Sequence, residues 1–282
     1  MTMPYSAEIS RTNPTCFLFL VDQSGSMKEE FGANSGQTKA QGVADAINRL
    51  LQTLIFRCAK GEYILDRYYL GAIGYGGRVN LGFPVEALSG DVLQPVSRLA
   101  VHPLRIEDRV MKVADGAGGF VDQCVKFPVW FEPKARGNTP MCGAFQAVQE
   151  VLRVFLDQHP QCFPPVVINI SDGRATDGDF EPDALGLWTL ASEDGNVLLF
   201  NVNISAGQQR PIRFPNDAVQ LPDDHARLLF RVSSPLPPPM LRQARMQDAT
   251  IADGARGFAY NADLASIITF LDIGTRVGSS GN

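Results

Sequence analysis

Between Cys16 and Val21 the chain carries an unbroken apolar run, CFLFLV, that turns abruptly polar at Asp22-Gln23-Ser24-Gly25-Ser26. A run this short predicts a strand buried on both faces, the pattern of a parallel sheet. Thr38 and Gln41 follow at capping-box spacing, ahead of a helical stripe formed by Ala40, Val43, Ala44, Ile47, Leu50, Leu51, Leu54 and Ile55. Tyr68 to Tyr75 (YYLGAIGY) predicts a second strand, and Arg78 to Val85 a short edge strand. Regularity returns at GNTPMCGAF, with Thr139 as N-cap and Pro140 as first helical residue; Met141, Ala144, Phe145, Val148, Val151, Leu152, Phe155 and Leu156 then make a long apolar face. PPVVINISDG is a further buried strand ending in a polar loop at Asp172. A helix from Pro182 through Trp188 to about Ser192, closed by Gly195, leads to a strand at Val197 to Ile204. Gly257 to Tyr260 adds a last short strand, and Leu264, Ile267, Ile268 and Leu271 a closing helix over about 261–273.

Strands alternating with helices predict an α/β fold, Rossmann-like, with a mostly parallel central sheet and helices on both faces. Two stretches break the pattern, about 89–136 and about 206–248, and are expected to be irregular insertions in a single domain spanning 1–282. The regular core covers about 15–204 plus the closing helix. PLPPPM in the second stretch could serve as a proline-rich recognition ligand, but no flanking basic residue supports docking, and a surface loop is the simpler expectation.

Composition narrows the function classes. The net charge is −5, with Lys+Arg 25 against Asp+Glu 30, mixed along the chain, so nucleic acid and membrane surfaces are not expected partners. Cys16, Cys58, Cys124, Cys142 and Cys162 are odd in number, scattered and without a CxxC pair, which fits neither zinc nor a disulfide framework. With a polar N-terminus and no apolar run near the roughly 18 residues of a membrane span, the expected location is cytoplasmic.

The chemistry gathers in three loops. Asp22-Gln23-Ser24-Gly25-Ser26 follows the first strand, Asp172-Gly173 follows the VVINI strand, and Thr139 stands at the start of a helix; a parallel sheet brings all three to its carboxyl edge, where open α/β sheets bind ligands. Two carboxylates and three hydroxyls are hard oxygen donors, suited to a small hard cation such as Mg²⁺. The alternate spacing of Asp22, Ser24 and Ser26 lets one turn offer three oxygens while Gly25 relaxes the backbone. Two carboxylates leave a divalent ion electrophilic towards a further anionic oxygen.

D-x-S-x-S after a buried strand, Thr139 in a G-N-T-P turn and Asp172-Gly173 after another strand together resemble the von Willebrand factor A family and its metal-ion-dependent adhesion site. Asp22, Ser24, Ser26, Thr139 and Asp172 fill the five positions of that site without substitution. The resemblance implies a Mg²⁺ site (Mn²⁺ or Ca²⁺ being alternatives) that the serines and threonine ligate directly or through water. The aspartates then act mainly through water and the hydroxyls, and a partner carboxylate completes the shell. It implies a protein-binding module rather than an enzyme. GNTPM resembles bacterial intracellular members, including tellurium-resistance-associated proteins of signalling or stress-response systems, whose partners would be phosphatase, kinase or AAA+ ATPase components. The alternatives are a metal-dependent hydrolase, which would need a positioned base that no recognised arrangement of Glu29, Glu30 or Asp177 supplies, and a scaffold with a purely structural metal.

Neighbouring residues have simpler explanations. Asp177 and Asp179 lack EF-hand spacing and are expected to be acids preceding a helix N-terminus. His102, His159 and His225 are isolated in sequence, with no catalytic role expected, and Trp130 is expected in a satellite core rather than on a contact surface.

Overall fold

The computed structural model describes residues 4–31, 36–114, 119–204 and 210–262. The first strand, β1 (Thr15–Asp22), is buried at every position. Alternate side chains of a strand point to opposite faces, and β1 uses both. Phe17, Phe19 and Val21 enter one apolar core, while Cys16, Leu18 and Leu20 enter another. The first core is covered by α1 (Lys39–Cys58) through Val43, Ala44, Ile47, Leu51 and Leu54. Its expected capping box is present: the Thr38 hydroxyl accepts from the Gln41 N–H at 3.2 Å, and the Gln41 side chain accepts from the Thr38 N–H at 2.8 Å.

Next come β2 (Tyr68–Gly76), β3 (Arg78–Leu81), β4 (Leu93–Pro95) and α2 (Val96–Val101). A long hairpin follows, β5 (Arg105–Ala114) with β6 (Phe120–Val129). Then α3 (Met141–Gln158), β7 (Val166–Ser171), α4 (Glu181–Gly186) and β8 (Leu198–Asn203) restore the α/β rhythm. The chain continues through β9 (Ile212–Arg213), α5 (Asp224–Val232), α6 (Pro238–Gln247) and β10 (Phe258–Tyr260). The sheet order is β9-β10-β8-β7-β1-β2-β3, with β4 also paired to β2. β10, β8, β7, β1 and β2 run parallel, and the antiparallel pairings are at the margins. This is the expected fold class, a mostly parallel sheet with helices on both faces. α1 covers one face, and α3 and α5 cover the other with Phe145, Val148, Leu152 and Leu229.

Among the described residues, both stretches expected to be irregular contain regular elements. β5 and β6 pair in register from Arg105↔Val129 to Ala114↔Phe120, forming a sheet of their own. The base of the hairpin is fixed to α1. Asn48 donates to the Phe131 carbonyl at 2.8 Å and accepts from the Trp130 and Phe131 amides at 2.9 and 3.0 Å. Trp130 is buried as expected, its indole N–H donating to the Leu99 carbonyl at 2.7 Å. In the second stretch, the Asp223 side chain caps α5 by accepting from the Ala226 amide at 2.8 Å. The proline cluster, expected as a surface loop, is loop only as far as Pro237 and then opens a helix. Pro237 occupies the N-cap of α6 and Pro238 its first position, where an amide N–H would be unpaired in any case. The edge strand of 78–85 ends at Leu81, and the helix from Pro182 ends in a 3₁₀ turn at Leu187–Thr189, with Gly195 (φ 145°) in the tight hairpin beyond. The closing helix lies outside the described residues.

Candidate metal centre

β1 and β7 are adjacent and parallel, so Asp22 and Asp172 emerge side by side at the carboxyl edge of the sheet. α1 leaves this point on one face, and α3 arrives from the other. Such a reversal opens a crevice beyond the strand ends. Asp22 is fully buried. Its Oδ1 accepts from the Ser24 amide at 2.8 Å and its Oδ2 from the Ser171 hydroxyl at 2.9 Å. The Ser24 and Ser26 hydroxyls stand 3.1 Å apart, and Ser26 Oγ donates to Asp172 Oδ1 at 2.7 Å. Ser24 is buried, whereas Gly25 and Ser26 are exposed, so the cluster is rooted in the core and reachable from outside.

Thr139 arrives by a different route. The 136–139 segment is sewn to the Asp22 loop by Arg136 N–H to the Gln23 carbonyl (2.7 Å) and Gly25 N–H to the Gly137 carbonyl (3.0 Å). Gly77 N–H donates to the Asn138 carbonyl at 2.9 Å. Two glycines make the crossing feasible. A Cβ on Gly76 would strike the Gln23 carbonyl, and one on Gly137 (φ 79°) would come within 2.5 Å of Gly77 Cα. Thr139 is therefore buried beside the serine loop, although among the described residues its hydroxyl makes no hydrogen bond to the other four.

Thr139 is also not the N-cap expected from the sequence. α3 begins at Met141 with Pro140 in the cap position, and neither side chain caps. Asp177 does so from another loop, accepting from the Cys142 amide with Oδ1 (3.1 Å) and from Gly143 with Oδ2 (2.9 Å). Asp179 accepts from the Glu181 amide at 3.0 Å and starts α4. Both acids thus serve helix N-termini as expected, Asp177 on a helix distant in sequence.

Two participants, Ser171 and Lys39, were not singled out in the sequence, and Glu29 was weighed only as a candidate base. Lys39 Nζ donates to Glu29 Oε2 at 2.6 Å and to Asp172 Oδ2 at 2.9 Å. Burial pulls the Lys39 ammonium downward, but those two carboxylates outweigh it and its pKa is raised. Burial likewise lifts the Asp22 carboxyl above its ordinary value; the bonds from Ser24 and Ser171 oppose this, and nearby Asp172 adds to it. Lys39 had a readable signal: a lysine at the first position of a helix faces unpaired N–H groups and needs an anion.

Behind the cluster runs a buried polar ladder on the α3/α5 face. Tyr75 OH donates to Asn169 Oδ1 (2.7 Å), Asn169 Nδ2 to Asn201 Oδ1 (2.9 Å) and Asn201 Nδ2 to Ser233 Oγ (3.0 Å). Asn169 and Asn201 are register partners on β7 and β8. Of the histidines, His102 Nδ1 bonds the Arg98 carbonyl, and His159 packs on Tyr69 and Phe155. His225 bonds the backbone of Gly173, leaving Nε2 without a partner among the described residues.

The donor set fits a hard divalent ion. Carboxylate and hydroxyl oxygens converge on one accessible point, where a buried ammonium shows that positive charge is favoured. Among the described residues no three His, Cys, Asp or Glu side chains are grouped to hold a metal ion. All five cysteines are free, and burial pushes the Cys58 and Cys142 thiols to about 11 and Cys162 to about 12.

In three dimensions the chain is similar to the ArnB paralog VWA2 from Sulfolobus acidocaldarius, at 14% identity over 70% of this chain and 36% of that one, TM-score 0.35. It is similar to the vWF domain of the type V pili tip protein Mfa5 from Porphyromonas gingivalis (11% identity, 58% and 39% covered, TM-score 0.31). A third likeness is to the pilus adhesin SpaC from Lactobacillus rhamnosus GG (13% identity, 96% and 32% covered, TM-score 0.49). The chain thus spans less than two fifths of the length of each of these chains. No protein-family model matches it, and no curated protein matches it in sequence. The fold class itself stands on the strand order and register of this chain: a doubly wound α/β domain with an oxygen-lined crevice at its switch point. No helix among the described residues is long and apolar enough to cross a membrane.

Proposed function

We propose that this chain is a von Willebrand factor A-type binding module whose divalent ion, Mg²⁺ in the first instance, is held by Ser24, Ser26 and Thr139 with Asp22 and Asp172 behind them. The ion would supply an electrophilic point at the sheet edge, and a carboxylate of a protein partner would complete its shell. The observation that carries this reading is the continuous chain of contacts from Asp22 through Ser24 and Ser26 to Asp172, joining the ends of two parallel strands. Asp22 holds the Ser24 backbone in place, and the serine hydroxyls, bonded to each other and to Asp172, would turn to the ion when it binds. The exposed Ser26 marks where an outside oxygen can arrive. A bacterial signalling or stress-response setting, with phosphatase, kinase or AAA+ ATPase partners, is the context proposed from the sequence resemblance.

Calorimetry with Mg²⁺ and Mn²⁺ tests the site. The expected result is about one ion per chain, with Ser24→Ala/Ser26→Ala weakening binding by at least the roughly 10–100-fold typical of outer-shell changes. Equal affinity in the double variant and the wild type would refute the ligand assignment. For partner binding, affinity for a captured protein should collapse in excess chelator. Agreement with and without Mg²⁺ to within about threefold, roughly 0.7 kcal/mol, would move the interaction to another face.

A further inference from the structure

Lys39 is a costly residue where it stands. It opens α1 immediately after the N-cap, at the helix end that disfavours cations, and its side chain is only 4% exposed. A buried ammonium persists only when anions pair with it, and Lys39 has two. They differ in kind. Asp172 has no exposed side-chain surface and is simultaneously hydrogen-bonded to Ser26, within the cluster proposed to hold metal. The Glu29 side chain is 59% exposed; its backbone N–H donates to the Ser26 carbonyl at 2.9 Å, but among the described residues its carboxylate makes no hydrogen bond to Ser24, Ser26 or Asp22. Lys39 therefore shares one partner with the site and has the other outside it.

We propose that Lys39 is a tethered counter-cation of the metal centre. It holds Asp172 while no ion is bound and transfers its pairing to Glu29 when a divalent cation arrives, so the affinity for the ion is set by this exchange. The inference rests on the metal-site reading above. With Lys39 paired to Glu29, the two carboxylates of the site, Asp22 and Asp172, face a divalent ion whose charge matches theirs. A monovalent ion is poorly placed to displace an ammonium already bonded at 2.9 Å, whereas a doubly charged one gains twice the attraction. The exchange thus favours divalent over monovalent cations without any change in the ligands. Removing the ammonium should tighten divalent binding, because a single positive charge on a neighbouring ligand partner repels a double one by enough to change an affinity roughly tenfold. A merely structural lysine predicts the reverse, since disturbing Asp172 could only weaken the site.

Mg²⁺ titrations of wild type, Lys39→Met, Lys39→Arg and Glu29→Gln, paired with melting curves in chelator, decide the matter. Lys39→Met is expected to bind Mg²⁺ about tenfold tighter than wild type while melting lower in chelator, and Lys39→Arg to stay close to wild type in affinity. Glu29→Gln alters an exposed side chain, so it tests the exchange even should Lys39→Met fail to fold. It removes the outside partner, leaves Lys39 committed to Asp172, and should weaken Mg²⁺ binding severalfold. Wild-type Mg²⁺ binding together with a folded Lys39→Met of equal or lower affinity would overturn the role of Lys39 and leave the metal site standing. So would unchanged affinity in Glu29→Gln. Absence of Mg²⁺ and Mn²⁺ binding by the wild type would instead overturn the metal site, and this inference with it.

Discussion

Asp22 shows how much a single side chain organises here. Both of its oxygens accept hydrogen bonds, one from the loop it begins and one from Ser171 on the neighbouring strand. Its loss removes both of these bonds, which belong to the fold, so Asp22→Ala is a poor probe of metal binding alone. The serine double variant is cleaner because Ser26 is exposed. The ladder beneath offers a separate test. Tyr75→Phe leaves Asn169 Oδ1 without its donor in a site closed to water, and unfolding in urea should show a loss of about 1–3 kcal/mol. An effect below about 0.5 kcal/mol would mean that water or a rearranged amide replaces the bond. The aspartates and serines were legible in the sequence because their spacing after apolar runs is local information. Lys39 was not singled out, although the helix N-terminus gave a cue, and Glu29 was weighed only as a base. The pairing of Lys39 with Asp172 spans 133 residues and depends on the sheet order. Asn169 and Asn201 were visible as polar residues interrupting VVINI and LLFNVN, but only strand register reveals that they face each other.

At the scale of elements, the start of α3 is the instructive case. A threonine followed by proline before an apolar helical stripe is a good cap on local grounds. Yet Asp177, thirty-four residues after Gly143, takes the amides instead. Burial acts to raise the Asp177 carboxyl, but the amides of Gly143 and Cys142 outweigh it, and its pKa is lowered. The stabilisation it gives is therefore fully present above the ordinary unfolded carboxylate value of about 3.9, and it is lost as the pH falls through the lower folded value. Asp177→Ala should cost about 1 kcal/mol at pH 7, and the gap from wild type should shrink below about pH 4. A gap independent of pH down to 3 would show that the charge is not what caps the helix. The hairpin of β5 and β6 escaped notice for a related reason. Its outward positions include Ile106 and Val110, both exposed, so polar and apolar residues do not alternate cleanly. α5 and α6 were hidden by the surrounding prolines, which break helices in mid-span but suit their first turn.

The whole molecule separates the work of folding from the work of binding. Two apolar cores, one on each face of the sheet, are built from β1, β7 and β8 and their covering helices, and neither includes Ser24, Ser26, Thr139 or Asp172. The ammonium of Lys39 already offsets part of the negative charge around Asp172 before any metal is bound. The chain should therefore remain folded in excess chelator, with an unchanged far-UV circular dichroism spectrum. Added Mg²⁺ should act only through mass action, contributing about 2.7 kcal/mol at a hundred times the dissociation constant. For a domain of this size each kcal/mol corresponds to roughly 2–4 °C in melting temperature, so saturation should raise the midpoint by about 5–11 °C and increase logarithmically with ion concentration. A chain that unfolds on chelation would make the ion a structural element of the fold. A midpoint that does not move with Mg²⁺, while calorimetry shows binding, would mean that the unfolded chain binds the ion as well as the native one.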